Sequence, residues 1–220
     1  MRRTGRSLLP TAYDNSAISA YQNVVASGTP FTWTHNPTTA GSYALIPVFG
    51  APFGANGVTL AATALVTFGG VTATSLGSVY DNNDATNGWI WVFGLRNAPG
   101  GSNTVNVKFT QAGDSFKGFG TSFTYLNVAS VGALQTAFGT GTTPSLTVSS
   151  AQGNLVWGAT SNAAGSAQSA FSLTNTRQSS QVTTNFPVFF AGDAAGAASV
   201  TVSATQVNTT WGVAGLNLIA

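Results

Sequence analysis

Apolar side chains in this chain recur at every second position, and that period decides the fold class. Trp89, Trp91, Phe93 and Leu95 alternate with Ile90, Val92 and Gly94, and further on Val105, Val107 and Phe109 alternate with Thr104, Asn106 and Lys108. Successive side chains of a strand point to opposite faces, so this pattern writes a half-buried strand rather than a helix. The same reading predicts strands at Phe31–His35, 43–49, 58–68, 122–128, Ser145–Val148, 155–160, 181–190, 199–205 and 211–219. Residues 88–110 read as a hairpin with a long tip at Arg96-Asn-Ala-Pro-Gly-Gly-Ser102. Turn signals separate the strands at even spacing: Gly69-Gly70, Asn87-Gly88, Gly100-Gly101, Gly139 to Gly141, Gln152-Gly153-Asn154 and Gly192-Asp193. Residues 16–25 are the one helical candidate.

Composition closes off the helical alternative. Helix surfaces are written in Glu, Lys, Gln and Arg, whereas this chain of 220 residues has five acids, all aspartates, and seven Lys and Arg. Thr, Ser, Asn and 26 Gly take their place. Many short strands with such turns predict an all-β chain, a single antiparallel sandwich or jelly roll, with a closed ligand barrel as the lesser alternative. The expected organisation is a basic N-terminal arm over residues 1–25 and one sandwich over 26–220. Arg2, Arg3 and Arg6 crowd the arm and leave four cations against five aspartates in the body, which is close to neutral.

Several function classes lose their material at once. No cysteine means no disulfide, thiolate metal site or thiol nucleophile. The uncharged stretch between Asp14 and Asp81 is broken by Pro30, Pro37, Pro47 and Pro52, so it is not a spanning helix, and no membrane partner is expected. The start of the chain does not resemble a secretory signal, because Pro10 follows Leu9 where an apolar run should continue. Three arginines on a neutral body are too few for firm phosphate binding, so no nucleic acid is expected; they suit docking against an acidic protein partner.

Candidate chemistry is sparse. General acid–base work draws on His, Glu or paired carboxylates. His35 is the one histidine, placed at the end of a strand, where a hydrogen-bonded structural role competes with a catalytic one. A Ser-His-Asp triad has no local signature; Gly113-Asp114-Ser115 resembles the start of a lipase-type block without its later histidine. Asp81-Asn-Asn-Asp84 gathers oxygen ligands that a hard cation would accept, yet Asp and Asn are also ordinary turn residues. No cofactor is expected. Trp33, Trp89, Trp91, Trp157 and Trp211 offer either a sugar-stacking platform or core filling.

Phe31-Thr-Trp-Thr-His35, Val66-Thr-Phe-Gly-Gly-Val-Thr72, Gly88-Trp-Ile-Trp-Val-Phe-Gly-Leu95, Ala98-Pro-Gly-Gly-Ser-Asn-Thr-Val-Asn-Val107 and Ser145-Leu-Thr-Val-Ser-Ser-Ala-Gln-Gly-Asn-Leu-Val156 together resemble a family of β-sandwich virion proteins of actinobacterial tailed phages, usually described as minor tail proteins. The resemblance spans residues 24–219. It implies a non-enzymatic virion component in several copies, a minor tail or adhesion-apparatus protein, with other virion proteins and copies of itself as partners. The arm, with Arg2, Arg3 and Arg6, would anchor it. A head decoration protein and a module that grips host cell-wall glycan are the alternatives.

Overall fold

The computed structural model describes residues 9–26, 28–52, 64–109, 115–181 and 187–220. Eighteen strands follow in chain order: β1 (Ala12–Ile18), β2 (Gln22–Ala26), β3 (Phe31–His35), β4 (Ser42–Pro52), β5 (Ala64–Phe68), β6 (Val71–Thr72), β7 (Thr74–Tyr80), β8 (Trp89–Ala98), β9 (Asn103–Phe109), β10 (Ser115–Leu126), β11 (Ser130–Val131), β12 (Gln135–Gly141), β13 (Ser145–Val148), β14 (Leu155–Asn162), β15 (Asn175–Ser180), β16 (Val188–Ala195), β17 (Val200–Ser203) and β18 (Thr209–Ile219). Every ladder is antiparallel. The chain is all-β and built from sandwiches, as its periodicity predicts.

There are two sandwiches rather than one. Residues up to Leu126 form a first inner sheet, ordered β1-β10-β4-β8-β7 with β2 continuing beside β10, and a first outer sheet, β3-β9-β5-β6. Residues from Ser130 form a second inner sheet, β11-β18-β14-β16-β15 with β12 also on β18, and a second outer sheet, β13-β17. Three apolar cores separate these four layers. Ile46, Trp91 and Phe109 fill the space between the first outer and inner sheets. Phe49, Phe123, Trp157 and Leu216 fill the space between the two inner sheets. Val148, Val156 and Val202 fill the last. Both inner sheets are therefore buried on both faces, which is why β4 and β8 run almost without a polar residue while β3 and β9 alternate.

Several expectations are corrected here. The 88–110 segment is not a hairpin: β8 lies in the inner sheet and β9 in the outer one, so its tip carries the chain across the sandwich. Residues 16–25 are not a helix, and the arm expected over 1–25 is in large part sheet. β1 and β2 pair in turn with β10 as one interrupted edge strand. At the break, Gly120 O accepts from Ser19 N and Gly120 N donates to Ser19 Oγ, so the hydroxyl replaces a missing ladder carbonyl. Pro10 and Thr11 bond onward to Asn127, Gly153 and Leu218. Gly192-Asp193 and Gly139 to Gly141 sit within strands β16 and β12, not in turns. Pro47 occupies a central strand, and the β4–β10 register skips its position. There Thr121 Oγ1 donates to Pro47 O at 3.2 Å.

Candidate functional site

The catalytic types the sequence offers do meet, in a linear relay between the first outer and inner sheets. β3 alternates Phe31, Trp33 and His35 inward with Thr32 and Thr34 outward, and this brings His35 over β10. His35 Nδ1 lies 2.6 Å from Ser122 Oγ, and Nε2 lies 3.2 Å from Thr124 Oγ1. Trp33 Nε1 donates to Ser122 Oγ at 2.9 Å, and Thr124 Oγ1 donates to Asp14 Oδ2 at 3.0 Å. An indole only donates and a carboxylate only accepts, so the ends fix one consistent direction. Trp33 donates to Ser122, Ser122 to Nδ1, Nε2–H to Thr124, and Thr124 to Asp14. The imidazole is neutral in this arrangement, and burial holds its pKa down at about 4 against the opposing pull of Asp14.

Serine, histidine and aspartate thus lie in one chain, with a threonine between the last two. His35 and Ser122 are both 0% exposed. A nucleophile must reach an acyl or phosphoryl centre, and this hydroxyl is enclosed by the sheets it joins. The relay satisfies every polar atom it contains and locks the outer sheet to the inner one. Asp14, half-buried at its end, also accepts from Thr38 N at 3.1 Å and from the Thr38 hydroxyl.

Asp81 and Asp84 are not brought together. They begin and follow a 3-10 turn, Asp81–Asn83, whose Asn82 and Asn83 take left-handed φ of 54° and 56°. Asp84 faces solvent and accepts from Thr86 N and Oγ1 at 2.9 and 2.7 Å, which lowers its pKa. Asp81 points the other way, into the junction between the sandwiches. Its Oδ2 accepts from Ala163 N at 2.8 Å, and Oδ1 has no partner. Burial there pushes its pKa up to about 8, so the group is a neutral acid at pH 7. A Cβ on Gly88 would overlap Oδ2 and one on Gly212 would crowd Oδ1, so glycine at both positions lets the carboxyl seat itself in the junction. A cleft of about 180 Å³ opens beside this junction, lined by Ala51, Thr86, Asn87, Ala163, Ala164 and Thr210.

The tryptophans are core residues. Trp33, Trp89, Trp91 and Trp157 are buried, and Trp211 is half-buried against Gly139. No stacking platform forms from them. Arg2, Arg3, Arg6 and Asp114 lie outside the described residues.

One polar cluster escaped sequence reasoning. Arg177 on β15 grips Asp193 on β16 through Nε at 2.8 Å and Nη2 at 3.0 Å. Asn175 Nδ2 donates to the same carboxylate at 2.9 Å and Tyr125 OH at 3.3 Å, while the guanidinium stacks 3.7 Å from the Tyr13 ring. Tyr13 and Tyr125 belong to the first inner sheet, so this ion pair stitches the sandwiches together. Burial and the adjacent Asp193 raise the Tyr125 pKa well above its ordinary value. An arginine in a body with only one other, Arg96, was the available signal; that Asp193 lay inside a strand was not visible.

Fold and site together define an all-β protein of face-packed sandwiches whose reactive side chains join sheets. No protein family matches the chain, and no curated protein matches it in sequence. Among solved structures it is similar to dimeric latent PorU of Porphyromonas gingivalis, at 9% identity and a TM-score of 0.38, over 97% of this chain and 21% of that one. It is also similar to the CUB1-EGF-CUB2 region of human MASP-1/3, at 8% identity and a TM-score of 0.27, over 92% of this chain and 98% of that one. Likeness at this level carries no functional argument. Among the described residues no helix is long and apolar enough to cross a membrane.

Proposed function

We propose that this chain is a structural protein of a tailed-phage virion, a minor tail or adhesion-apparatus component present in several copies and docked by Arg2, Arg3 and Arg6. The observation that supports this reading is the division between interior and surface. His35, Ser122, Asp81 and Asp193 are all sealed between sheets. The accessible faces of the outer sheets carry Thr32, Thr34 and Thr104 on one side and Ser145, Thr147 and Thr201 on the other. Such a surface hydrogen-bonds without long-range fields and loses little side-chain entropy on packing against neighbours, which suits a crowded assembly. The burial of four tryptophans weighs against the glycan-gripping alternative in its stacking form.

Immunogold labelling of intact particles, with antibody raised against the folded protein, tests the reading. Label at the tail is the expected outcome. Label over the head moves the protein to a decoration role, and particles without label remove the virion reading. Deletion of residues 1–8, which spares the bonded Pro10 and Thr11, should abolish incorporation while leaving the sandwiches folded. Retained incorporation would end the docking role of the arginines.

A further inference from the structure

The two sandwiches follow one plan. In each, the first strands form an interrupted edge on the last strand, β1 and β2 on β10 and β11 and β12 on β18. In each, the last strand is followed across the inner sheet by β4-β8-β7 or β14-β16-β15, and β3-β9 or β13-β17 forms the outer pair. β5, which pairs with β9, has its counterpart in residues 169–172, which bond to 203–205 beside β17. Even the irregularities coincide. The β7–β8 register slips between Ser75 and Gly77, and the β15–β16 register slips between Thr176 and Gln178. Bulges re-aim a strand at a chosen residue and are features of a design rather than accidents.

Superposing the bulges sets the remaining registers. Leu45 then corresponds to Trp157, Ile90 to Phe189 and Phe123 to Leu216, and all six lie in the core between the inner sheets. The contacts at the two margins are reciprocal. Gln178, just after the second bulge, donates to Ser16 on β1 at 2.9 Å, and the guanidinium of the bulge residue Arg177 covers Tyr13. Gly77, just after the first bulge, faces Leu134, the residue that precedes β12. Element i of one copy touches element j of the other, and j touches i, which is the signature of an isologous pair.

We propose that the chain is a duplicated module, fused as its own two-fold dimer, and that a second copy of the chain can supply either half of the pair. Three residues, 127–129, join β10 to β11, and Asn127 turns the chain with a φ of 58°. If that link straightens, each inner sheet presents an apolar face that only the opposite module complements. A second opened chain carries that module, so two chains can close on each other with every contact between the halves preserved.

The absence of native cysteine permits a direct test. Chains carrying Ser16→Cys and chains carrying Gln178→Cys are mixed, unfolded, refolded together at high concentration and treated with a short bismaleimide. Exchange predicts a crosslinked species of twice the chain mass in the mixture and none from either variant alone. The double variant Ser16→Cys/Gln178→Cys, refolded dilute, should crosslink within one chain. If it does so and the mixture gives no crosslinked dimer, exchange is refuted. If the double variant fails to crosslink while folded, the reciprocal margin itself is wrong.

Discussion

The two modules share a strand plan and close their cores with different chemistry. Gly50 faces Trp89 across the β4–β8 ladder, and the indole lies over the glycine and edge-on to Phe116 at 5.8 Å. The corresponding pair in the second module is Asn162 and Val188. There Asn162 Nδ2 donates to Gln206 Oε1 at 3.0 Å, Gln168 Nε2 donates to the same oxygen at 3.0 Å, and Thr160 Oγ1 donates to Gln168 at 2.9 Å. One module fills its end with aromatic volume, the other with a satisfied amide network. The same division separates the outer sheets. β3 brings Phe31, Trp33 and His35 inward, whereas β13 brings Leu146 and Val148. Topology here fixes which positions are interior; it leaves open whether area or hydrogen bonds fill them.

The largest break in that comparison should come where the modules meet. Trp157→Ala empties the centre of the shared core and should cost about 3–5 kcal/mol, read as a lowered denaturation midpoint. Leu45→Ala, the counterpart in the first module, should cost about 2–5 kcal/mol in the same assay. Next comes Asp193→Ala, which strands a partly exposed Arg177 beside Tyr125; about 3 kcal/mol is expected, with Asp193→Asn recovering part of it. Gly50→Ala drives a methyl into the Trp89 ring and should cost about 1–3 kcal/mol. Combining it with Trp89→Val, the residue the second module uses, should relieve that clash while leaving a cavity. A double-mutant cycle reads the coupling, and independent costs would refute the packing of Trp89 on Gly50.

The smallest effect lies in pH dependence, where two buried groups of the first module, His35 and Asp81, oppose each other. His35 is neutral when folded down to about pH 4 but takes a proton below 6.5 when unfolded, so its contribution is lost as pH falls from 6.5 to 4. Asp81 holds its proton when folded up to about pH 8 but releases it near 3.8 when unfolded, so its contribution is lost as pH rises across that range. Between 4 and 6.5 the two nearly cancel. From 6.5 to 8 only Asp81 acts, and stability should fall by about 2 kcal/mol. Asp81→Asn should abolish that fall in denaturant titrations at pH 6.5 and 8.

Much of the fold is legible in the chain, and the misses are instructive. Phe31–His35 and Ser145–Val148 are read to the residue because each has one wet face and one dry face. β1, β2 and β7 escape because their apolar residues adjoin rather than alternate, β12 and β15 because they are short of apolar residues, and in β12 the glycines that seat Trp211 look like a turn. Period two says nothing about which sheet a strand joins, so the crossing from β8 to β9 reads as a hairpin. The polar clusters are harder still. His35 and Ser122, like Arg177 and Tyr125, are distant in sequence, and their burial is a property of the layers rather than of their neighbours.

Hydrogen exchange followed strand by strand tests the central claim, that the two modules share one core, most directly. Strands β4, β8 and β10 of the first inner sheet and β14, β16 and β18 of the second should exchange slowest, and at a common rate set by global unfolding, while β3, β6 and β13 open earlier. Slow exchange confined to one inner sheet, with the other opening independently, would contradict it.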